Sequence, residues 1–154
     1  MSIRPGVRLA IDWGDVRIGV AACDRDGVLA FPLATVRAGT SEVSELAALI
    51  AEREAIEVLV GLPRSLSGGE GPAAAKARER ATRLAAGTPT PVRLVDERLT
   101  TVTATERLRA SGKRARQQRE SIDAAAAVVI LEQALSFERA RHEPPGELVS
   151  AGPD

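Results

Sequence analysis

Residues 7–23 read VRLAIDWGDVRIGVAAC, and this stretch decides the fold. It holds two apolar segments, Val7–Asp12 and Arg17–Cys23, on either side of a turn signal at Trp13-Gly14-Asp15. Apolar, partly β-branched runs bounded by glycine and aspartate are typical of buried strands. A turn this short joins antiparallel neighbours, so the stretch predicts a β-hairpin at the start of a domain.

The chain continues with a third strand and then alternates between helix and strand. A turn at Asp24–Gly27 leads to a strand at Val28–Val36, which Pro32 makes irregular. The later predicted elements are a helix capped by Thr40 or Ser41, a strand at Glu57–Leu62, a helix from Pro72 to about Ala86, a strand at Pro91–Asp96, a helix at Thr100–Ala110 and a last helix capped by Ser121 that ends near Ala140. We therefore expect one α/β domain over residues 1–142, a five-stranded mixed sheet flanked by helices, and a flexible tail over 143–154.

Composition excludes several classes of protein. The 154 residues carry 21 basic and 21 acidic side chains, so there is no globally basic coat for nucleic acid, although a local patch remains open. One cysteine excludes an intrachain disulfide and a cysteine-rich zinc site, and three aromatic residues exclude an aromatic stacking platform. With no signal segment and no apolar run near the roughly 20 residues of a membrane span, we expect a cytoplasmic protein.

Acidic residues follow two of the predicted strands and begin the last helix. Asp12 ends the first strand, Asp96 and Glu97 end the last strand, and Asp123 lies in the predicted first turn of the final helix. Each has a structural explanation by itself, as a turn former, a helix cap or a partner of the helix dipole. Gathered at the carboxyl edge of a sheet, Asp12, Glu97 and Asp123 would form a Mg²⁺ site able to activate water against a phosphodiester.

Four further patterns bear on function. Ala126 and Ala127 would let the last helix approach the sheet, although alanine also simply favours helix. The Asp12-x-Gly14 pattern also occurs in actin-like ATPases, but those need two domains, and a Gly-x-x-x-x-Gly-Lys-Ser/Thr loop is absent. The glycine-rich loop at residues 65–71 suits either a flexible connector or a phosphate cradle at a helix start.

A basic cluster between Arg107 and Arg119, predicted as a loop, is a candidate contact for a phosphate backbone, whereas the basic residues at 76–83 are predicted as a solvated helix face.

Four blocks of this sequence resemble the YqgF family, also called RuvX, of RuvC-like nucleases. The blocks are Asp12-Trp13-Gly14 with Arg17-Ile18-Gly19-Val20-Ala21, Val60-Gly61-Leu62-Pro63, Asp96-Glu97-Arg98-Leu99-Thr100-Thr101 and Ile122-Asp123-Ala124-Ala125-Ala126-Ala127. The resemblance implies an RNase H-like fold with a five-stranded mixed sheet. It also implies that Asp12, Glu97 and Asp123 are the catalytic acids and ligands of Mg²⁺ or Mn²⁺.

The resemblance leaves the substrate open between two nucleic acids. It implies either maturation of the end of precursor 16S ribosomal RNA or cleavage of Holliday junctions in DNA. The candidate nucleic-acid contacts are Arg17, Arg98, Lys113, Arg114, Arg116 and Arg119. Two positions depart from the family pattern: Val16 replaces a basic residue, and Ser65–Gly68 replaces Asn-Met-Asp-Gly. A non-catalytic nucleic-acid-binding or ribosome-assembly factor is the alternative, and the two-fold symmetry of a junction favours a homodimer.

Overall fold

A computed structural model describes residues 3–65, 67, 69–96 and 115–150, and over 115–123 it describes the helical backbone alone. The strands are β1 (Arg8–Trp13), β2 (Arg17–Cys23), β3 (Ala30–Arg37), β4 (Glu57–Leu62), β5 (Val92–Asp96) and β6 (Glu147–Leu148). The helices are α1 (Glu42–Glu52), α2 (Pro72–Gly87) and α3 (Ala115–Arg141). The predicted helix at residues 100–110 lies outside the described residues.

The described strands form one mixed sheet in the order β3-β2-β1-β4-β5-β6. The first three strands form the predicted antiparallel meander, and β1, β4 and β5 run parallel to one another. These pairings confirm the predicted fold class. The sixth strand, β6, pairs antiparallel with β5 in the stretch that sequence analysis assigned to a tail. A strand of two residues has no periodicity to detect, so the sequence analysis missed it.

The strand boundaries follow the sequence pattern closely. The bounds of β2 and β4 are those predicted, and Pro72 occupies the first turn of α2. The predicted irregularity at Pro32 is a shift of register: Val20 faces Ala34 across the β2–β3 pair, while Ala21 faces Pro32. One residue of β3 is therefore skipped, as in a β-bulge.

The predicted start of the last helix was wrong, whereas the predicted start of α1 was confirmed in position, with Ser41 as the N-cap residue. The last helix begins at Ala115 rather than after Ser121, because the Arg-Gln-Gln-Arg-Glu segment at 116–120 consists of good helix formers. Ser121 is therefore not an N-cap, position 123 is not in the first turn, and Arg116 and Arg119 lie on a helix rather than in a loop. At α1, Ser41 precedes the helix but makes no capping hydrogen bond with its side chain.

The sheet separates two apolar layers. Leu9 and Ile11 of β1 belong to the core under α1 and α2, whereas Ala10 packs with Ala21 and Leu59 against α3. Successive side chains of a strand point to opposite faces, so the even-numbered residues of β1 face α3. This face of the sheet is called the α3 face below.

Helix α3 is fixed to the start of β1 by a buried ion pair. Glu138 accepts hydrogen bonds from Arg8 at 3.0 Å and from Arg4 at 2.7 Å, and Arg8 and Glu138 are both buried. One end of α3 therefore lies over the beginning of β1. Nearer its other end, Ala127 packs in the same layer as Ala10, as the sequence predicted, whereas Ala126 is buried in a separate cluster with Val129. The helix thus runs antiparallel to β1.

We expect Glu138→Gln to lower the free energy of unfolding by about 3 kcal/mol, because it leaves the buried Arg8 cation without its carboxylate. Urea titration at neutral pH measures this loss. Glu143→Gln is the matched control, since Glu143 is exposed beyond the end of α3. Equal stabilities for the two variants would contradict the structural role of the pair.

The same pair predicts a pH dependence of stability. Burial opposes ionisation of Glu138, but hydrogen bonds from Arg4 and the charge of Arg8 outweigh it, so the pKa of this carboxyl lies below its ordinary value of 4.5. A carboxyl with a depressed folded-state pKa stabilises the protein above its unfolded pKa and loses that effect as pH falls. The stability gap between the natural chain and Glu138→Gln should therefore narrow as the pH falls below 4.5. A gap that widened in acid would contradict this sign.

Candidate active site

The carboxyl ends of β1, β4 and β5 meet at one edge of the sheet. Because Ile11 pairs with Val60 and Gly61 pairs with Val95, Asp12 lies level with Gly61 and, one strand further, with Val95. Asp12 is half-buried and follows Ala10 by two residues, so it lies on the α3 face. Ligands of open α/β sheets bind beyond such carboxyl edges.

Asp12 is flanked by glycine on both neighbouring strands. Gly19 of β2 is its direct partner in the β1–β2 register, and Gly61 of β4 is level with it on the other side. Leu59 of β4 belongs to the α3 face, and so therefore does Gly61 two residues later. Neither glycine carries a β-carbon, so on these two strands only backbone lies beside the Asp12 side chain, about 4.8 Å away on each side. Both glycines are buried, and we call this pair of positions the glycine shelf.

The chemistry of the shelf suits a hard divalent cation. Such ions take carboxylate oxygens as ligands and keep several of their waters, and Asp12 supplies a carboxylate here. Among the described residues, no three His, Cys, Asp or Glu side chains form a metal-binding group. Of the three predicted ligands, Asp12 is described in full, position 123 is described as helical backbone, and Glu97 lies outside the described residues. Asp96, which as the neighbour of Glu97 on an extended chain is the less favoured ligand of the two, is exposed at the end of β5.

A second recess opens from Asp12 toward α2. This cleft of about 440 Å³ lies between the β1–β2 turn, the end of β4 and the start of α2, and Lys76 and Arg80 line it. Asp15 of the turn accepts hydrogen bonds from Lys76 at 2.9 Å and from Arg80 at 2.7 Å. These bonds hold the pKa of the Asp15 carboxyl below its ordinary value. Arg80 also donates to the Trp13 carbonyl at 3.0 Å, which ties α2 to the turn beside Asp12.

The basic residues of α2 are more than the solvated face that the sequence predicted. Arg78 pairs with Glu70 and Glu147, and Arg83 pairs with Glu42. Lys76 and Arg80 line the cleft beside Asp12, which the sequence analysis did not foresee. Their four-residue spacing puts them on one side of a helix, but their partner Asp15 is about sixty residues distant in the chain and gave no signal.

The described part of the glycine-rich loop is tied to itself. Ser65 Oγ accepts a hydrogen bond from the Gly69 amide at 3.0 Å, and the Ser65 amide donates one to the Gly69 carbonyl at 2.9 Å.

Among the predicted nucleic-acid contacts, Arg17 lies on β2 and is half-buried. Arg98, Lys113 and Arg114 lie outside the described residues, and Arg116 and Arg119 are described as backbone alone.

Comparison with solved structures identifies the fold. The Thermus thermophilus RuvC structure in complex with a Holliday junction substrate matches with a TM-score of 0.56 and 16% sequence identity, over 91% of this chain and 99% of that one. At 16% sequence identity, the similarity of the two structures establishes a shared fold. The molecule therefore has the RuvC-like α/β fold, as the resemblance implied.

Comparison of sequences identifies the family. The model of the family described as "RuvX: Holliday junction resolvase" matches residues 6–137. A Streptomyces coelicolor protein is 60% identical over 94% of this chain and 89% of its own length, and a Thermobifida fusca protein is 54% identical over 98% and 100%. Both carry the name "Putative pre-16S rRNA nuclease". The chain belongs to the RuvX family, which confirms the resemblance drawn from the four sequence blocks.

None of the helices described here combines the length and the apolar character that crossing a lipid bilayer requires.

The contact between Asp15 and the two α2 cations can be tested by titration. We expect the Asp15 side-chain carboxyl carbon, followed by NMR, to titrate below the ordinary value of 3.8 because Lys76 and Arg80 stabilise its charge. Lys76→Gln or Arg80→Gln should move the midpoint upward. A midpoint at the ordinary value that neither substitution moves would show that the contact is not formed in solution.

Proposed function

We propose that this chain is a metal-dependent nuclease in which Asp12, Glu97 and Asp123 hold Mg²⁺ or Mn²⁺ at the glycine shelf. The observation that carries the proposal is the position of Asp12 between two glycines, at the carboxyl edge that β5 also reaches. Glu97 directly follows β5 in the chain. Membership of the RuvX family supports phosphodiester hydrolysis as the reaction.

The direction of α3 supports the inclusion of Asp123. Position 123 lies fifteen residues before Glu138, which is about 22 Å along a helix. Asp12 lies four residues beyond Arg8, which is about 13 Å along a strand. Because Glu138 pairs with Arg8 at the start of β1, the direction of α3 supports a position for residue 123 toward the Asp12 end of the sheet.

The chain's own side chains would bind and orient the substrate. When bound, a divalent ion would supply Lewis acidity and a water of lowered pKa for in-line attack on phosphorus. Asp12, Glu97 and Asp123 would fix its position through carboxylate oxygens, the ligands such ions prefer. Arg17, on the same face as Asp12, would hold the phosphate backbone, together with Arg98, Lys113, Arg114, Arg116 and Arg119.

The substrate class is structured nucleic acid. The names of the relatives point to precursor 16S ribosomal RNA, and the description of the family points to Holliday junctions. Phosphate contacts are insensitive to base sequence, so the proposed basic contacts suit either. A homodimer, which a two-fold symmetric junction would favour, stays a prediction.

We expect Asp12→Asn to reduce cleavage by at least about 10²-fold while nucleic-acid binding persists, because the amide cannot supply the charge that holds the ion. The measurement is a gel of labelled four-way DNA junction and of labelled precursor rRNA, each with Mn²⁺ and with EDTA.

Asp26→Asn is the matched control, since Asp26 is exposed in the β2–β3 turn at the opposite end of the hairpin. Product that forms equally in EDTA, or turnover unchanged in Asp12→Asn, would contradict the proposed mechanism. Salt-sensitive binding without any metal-dependent product would favour the non-catalytic alternative.

The glycine shelf generates a separate expectation. Gly61→Ala should reduce cleavage by roughly tenfold or more, because its β-carbon would enter the space beside Asp12 and displace the reacting groups. Gly39→Ala is the control, since a β-carbon there meets nothing within 4 Å. Far-UV circular dichroism checks that both variants fold. Full activity in a folded Gly61→Ala chain would show that cleavage does not require a glycine at this position.

A further inference from the structure

Two arginines face each other at the edge of the β2–β3 hairpin. Arg17 and Arg37 are direct partners in the antiparallel register. Their neighbours Ile18 and Val36 belong to the core under α1 and α2, so both arginines lie on the α3 face. Like charges directly opposite each other destabilise a sheet.

Arg37 is available to bind an anion. Its side chain is exposed, and within the described ranges it forms no ion pair with a carboxylate. The three arginines of α2, in contrast, each have a carboxylate partner. Arg17, Arg37, Val16 and Thr35 together line a recess of about 490 Å³. Among the described residues that line it, the recess thus carries two cations and no acidic side chain.

The recess lies on the α3 face, beside the row of the sheet that contains Asp12. Asp12 pairs with Gly19, and Gly19 pairs with Thr35, so one row of the α3 face runs from β1 across β2 to β3. Arg17 and Arg37 occupy the next row toward the carboxyl end of β1. Relative to Asp12, Arg17 is one strand away and Arg37 two strands away, about 10 Å across the sheet. A strand of nucleic acid leaving Asp12 in this direction would meet Arg17 first and Arg37 second.

We propose that Arg37 binds the phosphodiester backbone of the substrate and, with Arg17, directs one strand away from Asp12 across β2 and β3. This inference rests on the proposed nuclease function for the identity of the ligand. It extends that function by assigning a path to the strand and by adding a contact that the sequence motifs do not contain. Arginine suits the task because its planar fork of donors matches a phosphate group.

The test compares the full-length chain with Arg37→Gln, Arg37→Lys and Arg25→Gln. Arg25 is the matched control, because it is an exposed arginine in the turn at the opposite end of the same hairpin. Fluorescence anisotropy with a labelled four-way DNA junction and with a labelled precursor rRNA fragment, both in EDTA, measures binding without metal-dependent cleavage. A salt series gives the number of phosphate contacts.

We expect Arg37→Gln to weaken binding roughly three- to tenfold and to reduce the salt slope by about one, while Arg25→Gln has little effect on either. Arg37→Lys should restore part of the affinity because it keeps the positive charge. The melting temperature of Arg37→Gln should stay the same or rise, since the substitution removes repulsion with Arg17. An effect on the rRNA alone or on the junction alone supports the proposal and identifies which backbone is bound.

Equal affinities and equal salt slopes for Arg37→Gln and Arg25→Gln on both nucleic acids would overturn the inference, and so would a natural chain that binds neither. Failure of the nuclease function gives a different result. If the chain binds nucleic acid through Arg37 but forms no product with Mn²⁺, the nuclease function is contradicted and the binding path is supported. If the chain forms product with Mn²⁺ but Arg37→Gln binds as the natural chain does, the binding path is contradicted and the nuclease function is supported.

Discussion

The buried ion pair between Arg8 and Glu138 is the interaction on which the rest of the arrangement depends. It joins the first strand to a helix about 130 residues later in the chain, at 3.0 Å between side chains that water barely reaches. Removing one partner of such a pair costs far more than the intact pair contributes, so it fixes orientation more than it adds stability. In the proposed site, with Glu138 over the start of β1, α3 carries Asp123 toward the carboxyl edge where Asp12 lies.

The second constraint is the absence of side chains at the two strand positions beside Asp12. In a close-packed sheet each such position normally carries a β-carbon, but Gly19 and Gly61 carry none. Glycine inside a strand weakens it, and it often marks a place where a ligand or another backbone approaches closely. Both glycines sit in central strands whose other residues are buried, so the sheet tolerates them. The two glycines are therefore as much a part of the proposed site as the Asp12 carboxylate between them.

The sequence predicted the sheet well because apolar runs such as Glu57–Leu62 end at unmistakable turn residues. It failed where the signal was ambiguous or absent: Ser121 looked like an N-cap although polar helix formers extend the helix back to Ala115, and β6 was too short to show a period. Asp12 and the glycines were visible as motif members, but their adjacency depends on strand register. The pairing of Arg17 with Arg37 depends on the bulge near Pro32, since a one-residue slip exchanges the two faces of a strand.

The central claim is that three acids distant in the chain share one divalent ion. Crystals of the full chain grown with Mn²⁺ test it most directly, because the anomalous signal of manganese locates the ion without reference to the protein. The account predicts an anomalous peak on the glycine shelf, within about 2.0–2.3 Å of carboxylate oxygens of Asp12, Glu97 and Asp123. A peak bound by other residues would contradict the shared ion. The absence of any peak would contradict it too, provided that the crystallised protein cleaves nucleic acid with Mn²⁺.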